Sequence, residues 1–207
     1  MGLMATKAPP STSPQVGNVN QSTQGKSMAT VSVTKFTTGV IRGSYLNVFK
    51  AKAQKEGDEP KFSMVCLIPK TDTVTLEKIK KAQEAAIVAK WPNKRPPKVD
   101  STLHDGDGVR PSTGEPFGDE CKGCMVISVS SKFKPQIIDR TGNDIIDPSE
   151  AMSGDYFKVS LNFYGYDFSG KRGVSAGLGN MLLWEKGEPL GGTSRAADDF
   201  ADDIVAA

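Results

Sequence analysis

The sequence predicts a mainly β protein: a small barrel with one principal helix, long loops and disordered N- and C-terminal tails. Three observations lead there. Several stretches rich in β-branched and aromatic residues alternate apolar and polar side chains at period two, as half-buried strands do. Only one window, residues 73–90, repeats apolar residues at helical spacing. The chain also carries 21 Gly and 13 Pro among 207 residues. That is below the roughly 25–30% of low-complexity chains, yet enough for many tight corners. The length suits one core plus tails.

The first strand region runs from Thr30 to Lys52. Val40, Arg42, Ser44, Leu46 and Val48 share one face; Ile41, Gly43, Tyr45, Asn47 and Phe49 share the other. Gly39 and Gly43 permit the bend or bulge that a coiled sheet needs. After the turn Glu56–Pro60, the strand Lys61–Ile68 is apolar on both faces and should lie centrally. The helix spans Thr73–Lys90, with Thr71, Asp72 or Thr73 as cap and Leu76, Ile79, Gln83, Ala86 and Ile87 at helical spacing. Trp91-Pro92 ends it, and its lysines read as a solvated outer face. Residues 91–123 hold five prolines and five glycines with little periodicity. A loop this long inside a compact domain is usually functional or disordered, and Lys94, Arg95, Lys98 and Arg110 could lie against a polyanion.

Strands then resume. In Met125–Lys134, Ile127, Val129 and Phe133 alternate with Ser128, Ser130, Lys132 and Lys134. Gln136–Asp139 and Ile145–Asp147 flank the turn Arg140-Thr141-Gly142-Asn143. Tyr156–Phe168 shows the cleanest alternation, with Phe157, Val159, Leu161 and Phe163 opposite Lys158, Ser160, Asn162, Tyr164 and Tyr166. Gly173–Leu183 reads as a short glycine-rich strand pair ending at Trp184. Short strands around one helix with glycine-rich corners suggest a small closed barrel.

The net charge of +2 conceals a segregation along the chain. Residues 1–28 contain Lys7 and Lys26 but no acid; with three prolines and many Ser, Thr, Gln and Asn they read as a disordered arm. They lack the apolar core of a secretory signal. Residues 29–192 form the folding domain, and 193–207 an acidic tail with Asp198, Asp199, Phe200, Asp202 and Asp203 beyond the hinge-like Gly191-Gly192. A basic groove can bind such a tail weakly, and the tail once displaced can dock on partner proteins. No run approaches the roughly 18 apolar residues of a membrane helix. Three Cys without a signal point to a reducing cytoplasm.

Few residues suggest catalysis or a cofactor. One His, His104, supports neither a multi-His metal site nor a Ser/His/Asp set, so we expect no enzyme and no cofactor. Cys121 and Cys124 have zinc-knuckle spacing, but a structural site wants four ligands and only Cys66 and His104 remain, unpaired. Asp105-Gly106-Asp107-Gly108 starts like a calcium loop, but its twelfth position is Pro116, so it reads as a turn.

The polar faces of the two best strands carry more information. One shows Lys132 and Lys134, the other Lys158, Tyr164 and Tyr166. Cations interleaved with flat rings suit single-stranded nucleic acid: charges neutralise phosphates and rings stack on bases. The tyrosines could equally cover a second small core under the helix, and the pattern leaves both readings open.

Several runs, in order, carry a resemblance: Ser131–Arg140, Ser153-Gly154-Asp155-Tyr156 through Asn162-Phe163-Tyr164, Gly177-Leu178-Gly179-Asn180, Gly187–Gly192 and Asp198-Asp199-Phe200. Ile68-Pro69-Lys70 and Asp105-Gly106-Asp107 with Arg110 fit the same pattern. Over roughly residues 30–203 the chain resembles the tailed-phage single-stranded DNA-binding proteins. The resemblance implies an OB-fold barrel that coats single strands without sequence preference during phage replication or recombination, in the host cytoplasm. DNA would then track a groove walled by the 125–134 and 156–168 strands, with Arg42, Lys70 and Arg110 as further phosphate contacts. Replication and recombination proteins would meet the tail. Acidic tails in the family often finish on an aromatic residue; this one finishes Val205-Ala206-Ala207, with Phe200 further in. No membrane is implied, and a homodimer stays open. Two rival readings are a protein-interaction module of the replication machinery and a zinc-stabilised structural protein.

Overall fold

The computed structural model describes residues 33–53 and 55–190. The N-terminal arm, the acidic tail and the disorder expected of both lie outside the described residues, as do the boundaries at 29 and 192. Eight strands and one helix occur among them: β1 (Lys35–Thr37), β2 (Ile41–Lys52), β3 (Lys61–Pro69), α1 (Thr73–Lys90), β4 (Leu103–Asp105), β5 (Cys124–Ser131), β6 (Ile137–Ile138), β7 (Tyr156–Phe168) and β8 (Lys171–Glu185).

Five of these strands close a ring. β2 pairs with β3, β3 with β5, β5 with β8, β8 with β7, and β7 returns to β2. Every pairing in the ring is antiparallel except β5–β8. This is the five-stranded Greek-key barrel of the OB-fold. β1, β4 and β6 extend it as short additions to β7, β5 and β8.

Period-two alternation fills the barrel. Met64, Cys66 and Ile68 of β3, Ile127 and Val129 of β5, Phe157 to Phe163 of β7 at every second position, and Val174, Ala176, Leu178 and Met181 of β8 all point inward and are buried. The helix lays Ile79, Ala82, Ala86 and Ile87 against the same core, leaving Lys78, Lys80 and Lys81 exposed as expected. Of the three candidate caps, Asp72 serves: its Oδ1 accepts from the Thr75 amide at 3.0 Å. The buried Thr75 hydroxyl accepts from the Gly39 amide at 2.8 Å. A Cβ at Gly39 would sit 2.5 Å from Asp72 Oδ2, so the helix start and the β1–β2 corner fit only around glycine.

The central position of β3 follows from its two apolar faces. Val65 and Leu67 point outward, yet a second small core covers them: Leu67, Cys121 and Val126, with Phe117, Cys124 and Leu190 packed around. The 91–123 segment supplies it by folding back over β3 and β5, held by β4 and a short 3-10 turn at Asp119–Cys121.

Four local expectations need correction. The alternation assigned to β2 breaks between Ser44 and Asn47, where the register with β3 shifts. Ile41 and Val48, expected on opposite faces, are both fully buried. Phe133 does not continue the apolar face of β5; the strand ends at Ser131, whose hydroxyl accepts from the Phe133 amide at 3.0 Å, and Phe133 is 81% exposed. The region after Gly173 is one long strand rather than a pair, because no turn interrupts its pairing with β7. Finally, β5 and β7 do not face each other across a groove: β8 lies between them.

The expected turn at 140–143 is present and tightly held. Asp139 Oδ1 accepts from the Thr141 amide (2.8 Å), the Thr141 hydroxyl (2.7 Å) and the Asn143 amide (2.9 Å). These donors favour the carboxylate and lower its pKa from 3.8 to about 2. A depressed folded-state pKa means stability that is full above the unfolded value and lost as pH falls through the folded one. Asp139 should therefore titrate by NMR with a midpoint near 2. Asp139→Ala should lower Tm at neutral pH and lose the part of the acid dependence between pH 4 and 2 that wild type shows.

Candidate nucleic-acid interface

With the apolar residues turned inward, the outer face of the barrel shows small polar side chains. The strand register aligns them in rows. Asn47 pairs with Ser63, Ser63 with Ser130, Ser130 with Gly177 and Gly177 with Asn162, crossing all five ring strands. A neighbouring row runs from Ser44 to Val65 to Ser128, and Ser175 pairs with Tyr164 beyond. A groove of about 650 Å³ lies over this floor, lined by Tyr45, Asn47, Lys52, Lys61, Ser63, Val65, Ser128, Ser130 and Ser175, with Asp58 and Glu59 at one end. A second hollow of about 350 Å³ shares Tyr45, Val65 and Ser128 and continues to His104, Arg110 and Phe117.

Tyr45 stands where the two hollows meet and is 61% exposed. The β2 bulge puts it there. Its φ is +49°, a left-handed conformation that a bulky residue adopts only when its surroundings enforce it. The enforcing contacts are visible: the Leu46 amide donates to Ser153 Oγ at 3.0 Å, and Asn47 Nδ2 donates to the Tyr45 carbonyl at 3.1 Å. At the far end Arg110 lies over the Phe117 ring, 5.7 Å from its centroid. Partial burial pushes the His104 pKa below its ordinary value, so the imidazole is neutral at pH 7 and offers one donor and one acceptor.

The family model described as Enterobacter phage Enc34, ssDNA-binding protein matches residues 34–207. The chain belongs to that family. Its relatives include putative protein p50 of Acyrthosiphon pisum secondary endosymbiont phage 1, 31% identical over 142 residues that span 67% of this chain and 76% of that one. Among solved structures, the single-stranded DNA-binding protein of bacteriophage Enc34 in complex with ssDNA is similar at a TM-score of 0.63. Its identity is 23%, over 76% of this chain and 90% of that chain. Bacteriophage T7 gp2.5, a single-stranded DNA-binding protein, is similar at 0.51 and 17% identity, over 83% and 94% of the two chains. At these identities the structures establish a shared fold.

The site residues expected from sequence scatter around this family barrel. Arg110 lines the second hollow, which meets the groove at Tyr45. Lys132 lies just past β5 and pairs with Glu59 of the groove wall at 2.6 Å; Lys134 is exposed in the same segment, on the other side of Phe133. Tyr164 is 47% exposed and pairs with Ser175 at the groove edge. Tyr166 instead lays its ring across Gly173: a Cβ there would meet the Tyr166 hydroxyl at 2.6 Å. Lys158 is outside the groove, its Nζ 4.0 Å from the centroid of Trp184.

Four other assigned side chains hold the protein together. Lys70 bridges Asp105 and Asp107 at 2.6 Å each; its ammonium holds both carboxyls below the ordinary range, and Asp107 also accepts from the Gly123 amide. Arg42 donates from Nε to the Gly154 carbonyl (3.0 Å) and from a terminal nitrogen to the Glu188 carbonyl (2.7 Å). Cys121 and Cys124 belong to the second core, where burial pushes both thiols upward. Among the described residues no group of three or more His, Cys, Asp or Glu is placed to hold a metal ion. Phe117, Lys52, Lys61, His104 and Tyr45 were not assigned to a nucleic-acid site from sequence. Only Tyr45 carried a signal, the glycine two residues before it that hinted at a bulge.

The Arg42 geometry separates a structural cation from an exposed one such as Lys134. Arg42→Ala removes two charge-assisted hydrogen bonds and should cost about 1–3 kcal/mol in urea denaturation. Lys134→Ala, at an exposed site, should stay within about 0.5 kcal/mol.

Proposed function

We propose that this protein binds single-stranded DNA without sequence preference along the groove across β2, β3 and β5. The observation that carries the proposal is the continuous open groove with Tyr45 standing in its middle. An exposed ring over a floor of serines offers stacking to any base, worth about 1–3 kcal/mol per base in such sites. The serine hydroxyls rotate to donate or accept as needed and so read no particular base edge. Lys52 and Lys61 in the groove and Arg110 in the adjoining hollow neutralise phosphates, with Tyr164 at the groove edge. Membership of a phage single-stranded DNA-binding family supports this reading, and so does the ssDNA complex of the Enc34 protein, which has the same fold. The protein then acts without catalysis, coating and protecting single strands during phage replication and recombination in the host cytoplasm.

The acidic tail has a place in the same proposal. Leu190, the last described residue, packs on the second core, as does Phe117, and Phe117 lines the second hollow. The chain therefore departs towards the tail at the Arg110 end of the groove. The tail, with Asp198, Asp199, Asp202 and Asp203 around Phe200, competes with DNA there and recruits replication and recombination proteins once displaced.

Titration of oligo-dT against intrinsic fluorescence at two salt concentrations tests the binding. Affinity should fall with salt at a slope of about −0.7 per phosphate neutralised. Tyr45→Ala should weaken binding about tenfold with no loss of Tm, and Tyr164→Ala should weaken it less. Equal preference for duplex, or salt-independent binding, counts against the proposal. Deleting residues 193–207 should raise low-salt affinity; a tail that leaves affinity unchanged is no competitor.

A further inference from the structure

We propose that a longer single strand leaves the groove along the outer face of the β7–β8 ladder and ends in a cationic clamp built from Arg140, Trp184 and Lys158. The proposal rests on the single-stranded DNA reading above and extends it to a site outside the groove.

The clamp is assembled from three elements. Lys158 of β7 and Ile138 of β6 both pair with Leu182 of β8, from its two sides. Trp184 lies two residues further along β8, and Arg140 two residues beyond Ile138, in the turn that Asp139 holds. The two cations thus approach the indole from the strands flanking β8: Lys158 Nζ at 4.0 Å and Arg140 Cζ at 4.5 Å from the ring centroid. They lie no further apart than the sum of those distances, which is within one Debye length at about 0.1 M salt (roughly 10 Å). Like charges at that separation repel, and among the described residues neither cation makes an ion pair. Lys70, Lys132, Arg172 and Lys186 each have a carboxylate partner. The indole holds the Arg140 and Lys158 cations by its π-face without neutralising them. An anion that bridges the pair relieves the repulsion. Trp184 is a positioning residue here, its ring engaged by the cations rather than open to a base.

The path to the clamp is continuous with the groove. Ser175 lines the groove and pairs with Tyr164. From Tyr164 the outward residues of β7 are Asn162, Ser160 and Lys158. Opposite them β8 presents Gly177 and Gly179, where a Cβ would meet Asn162 O at 3.3 Å and Ser160 O at 2.8 Å. A side chain is excluded at Gly179 and crowded at Gly177, and with glycine at both positions the ladder stays low between Tyr164 and the clamp. Six residues of strand at about 3.3 Å each make this lane about 20 Å long. Its chemistry is that of a strand path: a stacking ring at the entry, hydroxyl and amide groups along it, and paired cations for phosphates at the exit.

Oligomer length separates lane from groove. OB-fold sites span about 4–16 nucleotides, so dT oligomers of about 5 and about 16 nucleotides are the probes, each titrated at several salt concentrations. Arg140→Gln, at an exposed turn, and the double variant Arg140→Gln/Lys158→Gln are compared with the wild-type full-length chain, with Tm as the check on folding. The expected result is unchanged affinity for the short oligomer. For the long one the salt slope should be shallower by about 0.7 in the single variant and about 1.4 in the double, with roughly tenfold weaker low-salt binding. An unchanged long-oligomer slope in Arg140→Gln, or equal weakening of short and long oligomers, overturns the lane while leaving the groove in place. A wild-type chain that binds neither oligomer overturns both.

Discussion

The pairing of β8 with two partners at once is the constraint on which the rest depends. One edge takes β7 in a long antiparallel ladder and the other takes β5 and then β6 in parallel. Without the short β5–β8 contact the sheet would be open, with β5 and β8 facing each other as edges. Closure removes those edges, but it forces strands of different tilt into contact, and the chain answers with irregularities: register shifts in β2–β3 and β7–β8 and glycines at 173, 177 and 179. Those features also shape the surface. The β2 bulge turns Tyr45 out, and the β8 glycines keep the outer face low. The groove is a consequence of how the barrel closes.

The second small core explains why a face of β3 and β5 can be apolar without aggregating. Leu67 and Val126 point away from the barrel, and Phe117 and Cys121 from the long loop cover them. That cover must be held, and most of the local charges do the holding. Lys70 binds the 105–107 turn, while Arg42 and the buried carboxylate of Asp155 fix the 187–190 segment. Asp155, 1% exposed, accepts from the Met152 and Gly187 amides. A buried carboxylate of this kind is tolerable because these amides and the Lys186 ammonium, 3.4 Å away, compensate its charge. The polar residues here determine where loop and exit segment lie, and the hydrophobic contacts beneath supply the stabilisation.

This division of labour marks what could be read in the sequence. The helix was legible because its apolar spacing, its cap and its Trp-Pro stop are all local. β7 was legible for the same reason, and with it Tyr164. Gly43 hinted at the bulge but not at its turning Tyr45 outward, since the hydroxyl that captures the Leu46 amide belongs to Ser153, 107 residues away. The roles of the cations were equally hidden. Sequence identifies Lys70, Arg42 and Lys132 as basic, but Asp105, the Gly154 carbonyl and Glu59 decide whether they are free. Glycines in β8 read as breaks because glycine is usually a turn signal; here they mark close approach of a neighbouring strand. Arg140 and Trp184, 44 positions apart, gain a shared role only when β6 adds to β8.

A groove floored by serine and glycine has a further consequence for specificity. An apolar floor would favour bases by burial and select for ring size; a floor of carboxamides would impose fixed donor and acceptor patterns. Hydroxyls rotate, accept and donate with little preference, and remain hydrated when nothing is bound. Discrimination therefore falls to the backbone cations and the rings, and both are indifferent to base identity. The inner face of the barrel and the second core over Leu67 and Val126 bury what folding requires, so the serine-rich part of the outer face is free of that demand. The proposed sequence-independent binding would follow from a groove floor whose polar side chains folding left exposed.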